Sequence, residues 1–446
     1  MGLAGMSINS ALFNIIAAAT APLGTGTTAV ISRIRGQEEK QRAKMLDSRM
    51  NSSSVMPQES EIDVGQAFLN GIILAFTGGT ILSSLSFLFG KSLVSKVFQV
   101  KDGLLKATVT YLHIRGLSLP SVLLNYIVFG FSIAMQDSVA PVLSIVTAFL
   151  VNVIGDFILC GKMGYGLSGA AIATTLSSYL GSAVALNHLF KQYRIKIPRN
   201  TEKDEKSMQG VRSGSVAWGK LFNRRSIAMF FTASGPLLIG ALVNTMTYSA
   251  GARIASFTMD PKLSTIDVAA HQIVMQSWWF LSYFSSPFSL VAQAVIPKDI
   301  AKKDTKRVKA MATLLLRLTC IVGLFVSALN LLLISRFPGT FTKNVDIQKI
   351  VQTVLMPSTI SLFIICMSTV SDGIFIGSGA IQDFLTASVL STTAAWSYYA
   401  FSIKQKIGLA GAWNGLLIFS IVRMAYYLMR FPTLWLSLGG NKNATA

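Results

Sequence analysis

The stretch Pro22-Leu23-Gly24-Thr25-Gly26-Thr27-Thr28-Ala29-Val30-Ile31 returns, 265 residues later, as Pro287-Phe288-Ser289-Leu290-Val291-Ala292-Gln293-Ala294-Val295-Ile296. Both copies keep a proline, six residues and then Ala-Val-Ile inside a long apolar run. Further on, Gly166-Leu167-Ser168-Gly169-Ala170 is echoed by Gly408-Leu409-Ala410-Gly411-Ala412, and Gly130 by Gly373, at offsets near 242. Matched order and spacing over such distances read as two homologous halves. The offset shrinks if the connection 32–64 is longer than its counterpart after Ile296.

Around these anchors the 446 residues are 52% hydrophobic and 13% charged, with a mean hydropathy of +0.54. An ordinary globular domain carries about 25% charged residues, so the main solvent here is lipid. Hydrocarbon admits only helices or closed barrels. The apolar runs are about 20 residues or longer, enough for a crossing helix and too long for a barrel's strands of about 10 residues. About eleven spans are predicted, near 3–31, 65–90, 111–135, 140–160, 166–190, 226–256, 265–296, 308–335, 347–376, 380–402 and 409–429.

The formal charge of +20 does not mark a nucleic-acid binder, because Lys and Arg sit between the apolar runs and form no stripe on a soluble face. The bilayer surface is the expected partner. Eleven crossings place the connections alternately on two sides, and 24 of the 39 basic residues fall on the side that holds the linker 191–225. That side is expected to be cytoplasmic or its organellar equivalent. The host membrane, whether plasma membrane, vacuolar membrane or plastid envelope, is left open. Cys160, Cys320 and Cys366 read as small hydrophobes. No metal cluster, nucleotide-binding loop or nucleophile constellation is visible, which argues against an enzyme and against a resident cofactor.

The first span pairs with the seventh, six helices later, so corresponding helices run the same way through the membrane. The expected fold is an all-α polytopic membrane protein of two parallel-repeat six-helix lobes. Residues 1–190 form the N-terminal lobe with five of its six helices, 191–225 a basic linker, 226–436 the C-terminal lobe with six, and 437–446 a tail. One helix is expected to be missing at the N-terminus, either from truncation or because the true start lies upstream.

Motifs narrow the class. Arg115-Gly116-Leu117-Ser118-Leu119-Pro120, then Gly130, then Gln136-Asp137-Ser138-Val139-Ala140-Pro141 resembles the multidrug and toxic compound extrusion pattern R-x-L-x-x-P, G, x-D-T-x-x-P. Asn152-Val153-Ile154-Gly155-Asp156 looks like that family's N-x-x-x-D helix, and Gly166 to Thr174 matches the entry to its sixth helix. Ala269-Ala270-His271-Gln272-Ile273 and Asp372-Gly373-Ile374-Phe375-Ile376-Gly377 resemble eukaryotic and plastid members of the DinF-like branch. The similarity covers residues 2–430, with departures. Ile133-Ala134 replaces the usual Arg-Gly, and the acid that other eukaryotic branches carry in the seventh family helix is absent, with Asn244 and Tyr248 the nearest polar groups. The family's first helix, which carries an Asp of the coupling site in the DinF-like branch, is the one not seen.

The resemblance implies a secondary antiporter that exports small organic solutes, organic anions or amphipathic cations, in exchange for H⁺ or Na⁺. It would act as a monomer by alternating access. A lipid-linked precursor flippase of the same superfamily and a truncated, non-transporting membrane protein are the alternatives. An acid inside a span is costly unless it has a partner or a function. Asp156 follows Asn152 by one helical turn, so carboxylate and amide oxygens on one face can converge on a cation or share a proton; by resemblance the pair is the first lobe's cation site. Reaching interfacial water is the bland use of Asp156. Candidates for the substrate cavity are His271, Gln272, Gln276, Asn244, Tyr248, Asn125 and Asp372, against ordinary interhelical hydrogen bonding. Arg423 reads as a snorkelling or lobe-packing residue. Trp278 and Trp279, being adjacent, are expected to diverge. Pro22 and Pro287 would hinge their helices, or merely kink them.

Overall fold

A backbone in hydrocarbon finds no water to bond, so each apolar run satisfies its amides along its own axis. The computed structural model of the chain describes residue 16 and residues 20–50, 64–96, 102–195, 224–255, 261–336 and 344–439. Its regular elements are helices: α1 (Pro22–Met50), α2 (Val64–Lys96), α3 (Asp102–Gly116), α4 (Leu119–Met135), α5 (Val139–Asp156), α6 (Gly166–Tyr193), α7 (Arg224–Ala255), α8 (Pro261–Ser282), α9 (Ser286–Ala301), α10 (Thr305–Arg336), α11 (Val345–Thr353), α12 (Leu355–Gly377), α13 (Ile381–Gln405) and α14 (Leu409–Gly439). Among the described residues eight spans are long and apolar enough to cross a bilayer, nine if the bent pair α3 and α4 counts as one. The 25-residue, more polar α13 matches the predicted span 380–402, while most of the predicted first span, 3–31, lies outside the described residues and α1 holds only its last ten. Apolar side chains face outward as well: α5 buries only Ala140 and Ser144, while Ile145, Phe149 and Phe157 are 58%, 64% and 64% exposed. That is the surface of a multi-pass integral membrane protein.

Three predicted spans are interrupted, and prolines explain where. A proline ring clashes with the carbonyl four residues earlier. That residue is Gly116 for Pro120, Tyr283 for Pro287 and Thr353 for Pro357. There α3 ends with a 47° bend into α4, a 3-10 turn (Tyr283–Ser285) parts α8 from α9, and α11 ends. The first span differs more. The sequence predicts its end near Ile31, yet α1 runs on to Met50. The residues beyond Ile31 are rich in Gln, Glu, Lys, Arg and Ala, strong helix formers, and Arg35 pairs with Glu39 one turn on at 3.3 Å. More than half of the connection 32–64 is therefore helix.

The two halves repeat in geometry. Left-handed backbone occurs at Gln136 and Gly379, 243 residues apart, and at Gly164 with Lys406 and Gly166 with Gly408, each 242 apart. Gly166 and Gly408 open the paired helices α6 and α14, where a side chain would strain the turn. Within the first half α4 lies so close to α1 that a Cβ on Gly130 would collide with the Gly24 carbonyl. Thr28 Oγ1 also donates to the Gly130 carbonyl at 3.0 Å. In the second half a Cβ on Gly373, in α12, would stand 2.5 Å from the Ser289 carbonyl oxygen of α9. Gly24 and Ser289 are 265 residues apart, the offset read from the prolines. Gly373→Ala must push backbone from backbone, and we expect it to destabilise this half by about 1–3 kcal/mol, read as a lower melting temperature in detergent. An unchanged melt would mean the approach is looser than drawn.

The chain divides into two compact units with the boundary at Gly235-Pro236, inside α7. The start of α7 belongs to the first unit because Phe230, fully buried, joins the core of Phe68, Ile127 and Phe131. The second unit is centred on Trp278, Trp413 and Phe419, with a further cluster around Phe375 and Tyr427. Most of the linker, residues 196–223, and the tail beyond 439 lie outside the described residues.

Candidate functional site

In the first unit α5 and α6 pack through glycines. A Cβ on Gly155 would stand 2.8 Å from Ala173 Cβ, and one on Gly181 2.7 Å from the Ser144 carbonyl. This approach brings Thr174 of α6 to Asn152 of α5, whose Nδ2 donates to Thr174 Oγ1 at 3.1 Å. The threonine spends its own proton on the Ala170 carbonyl at 2.8 Å. The Asn152 amide is thus fixed by its NH₂ end, leaving its Oδ1 available one turn before Asp156. Asp156 Oδ1 is buried and has no hydrogen-bond partner among the described residues. A π-helical turn, Phe157–Lys162, begins at the next residue, a distortion frequent at functional sites. Thr174 was missed in the sequence because a threonine in an apolar helix carries no signal until its neighbour is known. Thr174→Val would release the Asn152 amide, and we expect apparent affinity for the coupling ion to fall about 10-fold, measured by ion-dependence of flux. Unchanged affinity would remove Thr174 from the site.

Asp137, of the motif Gln136-Asp137-Ser138, has a structural task. Its Oδ1 accepts the Val139 amide at 2.8 Å, and its Oδ2 meets His188 Nε2 at 3.2 Å and the Tyr193 hydroxyl at 3.3 Å. It caps α5 and ties α6 to it.

The second unit holds a different arrangement. Arg423 of α14, expected to snorkel or to pack within the lobe, is 1% exposed and packs within it. Its Nη2 and Nε donate to Asp372 Oδ1 of α12 at 2.9 and 3.2 Å. Its Nη1 donates to Asn244 Oδ1 of α7 at 3.1 Å and to Ser388 Oγ of α13 at 3.0 Å. Tyr427 OH also donates to Asp372 Oδ1. Phe384, Phe419 and Tyr427 flank the guanidinium at 5.3, 5.8 and 5.9 Å. Snorkelling fails because Arg423 stands mid-span with an opposite charge within reach. Two opposite charges inside the spans of one half are the signal that could have found the pair.

Other candidates scatter. Asn244, Tyr248 and Asp372 gather in the second unit, Tyr248 packing on Phe419 at 5.4 Å. Trp278 and Trp279 do not diverge, since both rings reach Tyr248, at 5.8 and 5.0 Å. His271 is 1% exposed, wedged against Gly251 and 5.7 Å from the Trp413 ring, so it lines no open space. Gln272 and Gln276 are exposed on another face of α8. Asn125 accepts from Ser144 Oγ at 3.1 Å in the packing of α4 on α5. Pro22 and Pro287 both stand in the first turn of a helix, α1 and α9, where a missing N–H costs nothing.

The fold and these sites define a polytopic helical membrane protein built from a repeated bundle, with an ion-paired acid in one repeat and, in the other, an acid whose buried Oδ1 has no partner among the described residues. A MatE profile matches residues 58–158 and 241–395, more than half of the chain, and the chain belongs to that family. It is 25% identical to Protein DETOXIFICATION 47, chloroplastic, of Arabidopsis thaliana over 83% of this chain and 64% of that protein. It is 23% identical to Protein DETOXIFICATION 44, chloroplastic, over 97% of this chain and 75% of the relative. The chain thus spans about two thirds to three quarters of these relatives' lengths. A crystal structure of the Vibrio cholerae MATE transporter VcmN in the bent form superposes with a TM-score of 0.74 at 16% identity, covering 98% of this chain and 89% of that one. This likeness shows the fold.

Proposed function

We propose that the chain is a secondary active transporter that exports small organic solutes in exchange for H⁺ or Na⁺ by alternating access, with Asp156 and Asn152 as its coupling residues. The observation that carries the reading is the contrast between two acids that lie within spans, Asp156 and Asp372. A buried carboxylate must be neutralised by a partner, a proton or a cation. Asp372 has Arg423. Asp156 is half-buried, and its buried Oδ1 has no hydrogen-bond partner among the described residues, which leaves the carboxylate open to a proton or cation from solution, as coupling requires. The names of curated relatives, DETOXIFICATION in Arabidopsis thaliana and Multidrug and toxin extrusion protein 1 in Homo sapiens, support organic solutes as cargo. Solute class, anion or amphipathic cation, follows from a screen in vesicles. The test is solute flux into vesicles carrying the full protein under imposed H⁺ and Na⁺ gradients, with and without Asp156→Asn. Loss of the gradient's effect supports the reading, and gradient-driven flux that survives overturns it.

A further inference from the structure

We infer that Arg423 is a tethered cation that occupies a latent ion site in the second unit, so that Asp372 exchanges no ion during transport and coupling is left to the first unit. This rests on the coupling role proposed for Asp156. Three donors, two from Arg423 and one from Tyr427, converge on Asp372 Oδ1. The Asp372 side chain keeps 20% of its surface accessible, whereas that of Arg423 keeps 2%. A small cation could therefore approach the carboxylate. It would have to expel a guanidinium anchored also by Asn244, Ser388 and three aromatic rings. A proton fares no better, because neutralising Asp372 would strand a guanidinium that cannot lose its own charge. The other titratable groups that act on the pair are the phenols of Tyr427 and Tyr248. Remove the guanidinium, and the oxygens of Asp372, Asn244 and Ser388 remain around the space it filled. Such an all-oxygen set suits a proton or a hard monovalent cation.

The experiment uses the full chain in nanodiscs, with Na⁺ binding followed by radioactive sodium and H⁺ release by a pH indicator. The Asp156→Asn background silences the first unit. There, R423Q is expected to create one cation site per chain that adding D372N abolishes, and millimolar methylguanidinium should compete with Na⁺ for it. R423K, which keeps a charge in the gap, should create none, and it guards against misfolding of R423Q. Two results overturn the inference. One is a folded D156N/R423Q protein that binds no cation. The other is cation binding in D156N, with Arg423 intact, that D372N removes. Binding that survives both D156N and D156N/D372N would instead overturn the Asp156 reading, and the R423Q comparison would still decide the present one.

Discussion

In vesicles loaded with a fluorescent amphipathic cation or an aromatic carboxylate, Asp156→Asn is expected to lower gradient-driven flux by about 100-fold or more, with the protein still folded. A hydrogen bond or ion contact to a charged group contributes up to about 3 kcal/mol, and that is about 100-fold in ion affinity. Asparagine keeps the shape of the side chain and removes the charge, so packing of α5 on α6 should persist. The orphaned Oδ1 makes the substitution unusually clean, because no described partner of that atom is left stranded. Asn152→Leu should behave differently. It removes one neutral oxygen and frees Thr174, so ion affinity drops while the gradient still drives flux. Gradient-driven flux of Asp156→Asn within twofold of the parent would move coupling elsewhere in the chain.

Much of this fold could be read before any coordinates. The two Pro-x₆-Ala-Val-Ile stretches gave the repeat because a sharp steric rule acts on proline and close backbone approach selects glycine. The same rule, applied to Pro120 and Pro357, would have located the breaks at Gly116 and Thr353 that the spans 111–135 and 347–376 passed over. The extension of α1 to Met50 was hidden because hydropathy reports where a helix is buried in lipid, not where it ends. The sites were half legible. Asn152 and Asp156 are one turn apart on a single helix, so spacing alone pairs them. Thr174, Ser388 and Arg423 join their partners only through tertiary packing, across sequence separations of 22, 35 and 51 residues. No local pattern encodes that. His271 shows the converse: a residue with inviting chemistry, placed by a glycine opposite it into plain packing.

The ion pair of the second unit predicts an asymmetric cycle of stabilities. Asp372→Asn leaves Arg423 buried with Asn244, Ser388 and Tyr427 but without a countercharge, and a guanidinium cannot discharge itself. Removing one member of a buried pair typically costs about 3–5 kcal/mol, and this variant should lie at the upper end. Arg423→Met is milder, because the stranded carboxylate can take up a proton and keep its bond with Tyr427. The double variant, with no charge left to bury, should be more stable than Asp372→Asn alone, which places the coupling of the two sites well above the sum of independent effects. Unfolding of the purified protein by heat or by titration with a denaturing detergent, at neutral pH, measures all three. Equal losses for both single variants, adding simply in the double, would mean that water reaches the guanidinium, against its 2.9 Å contact and 1% exposure.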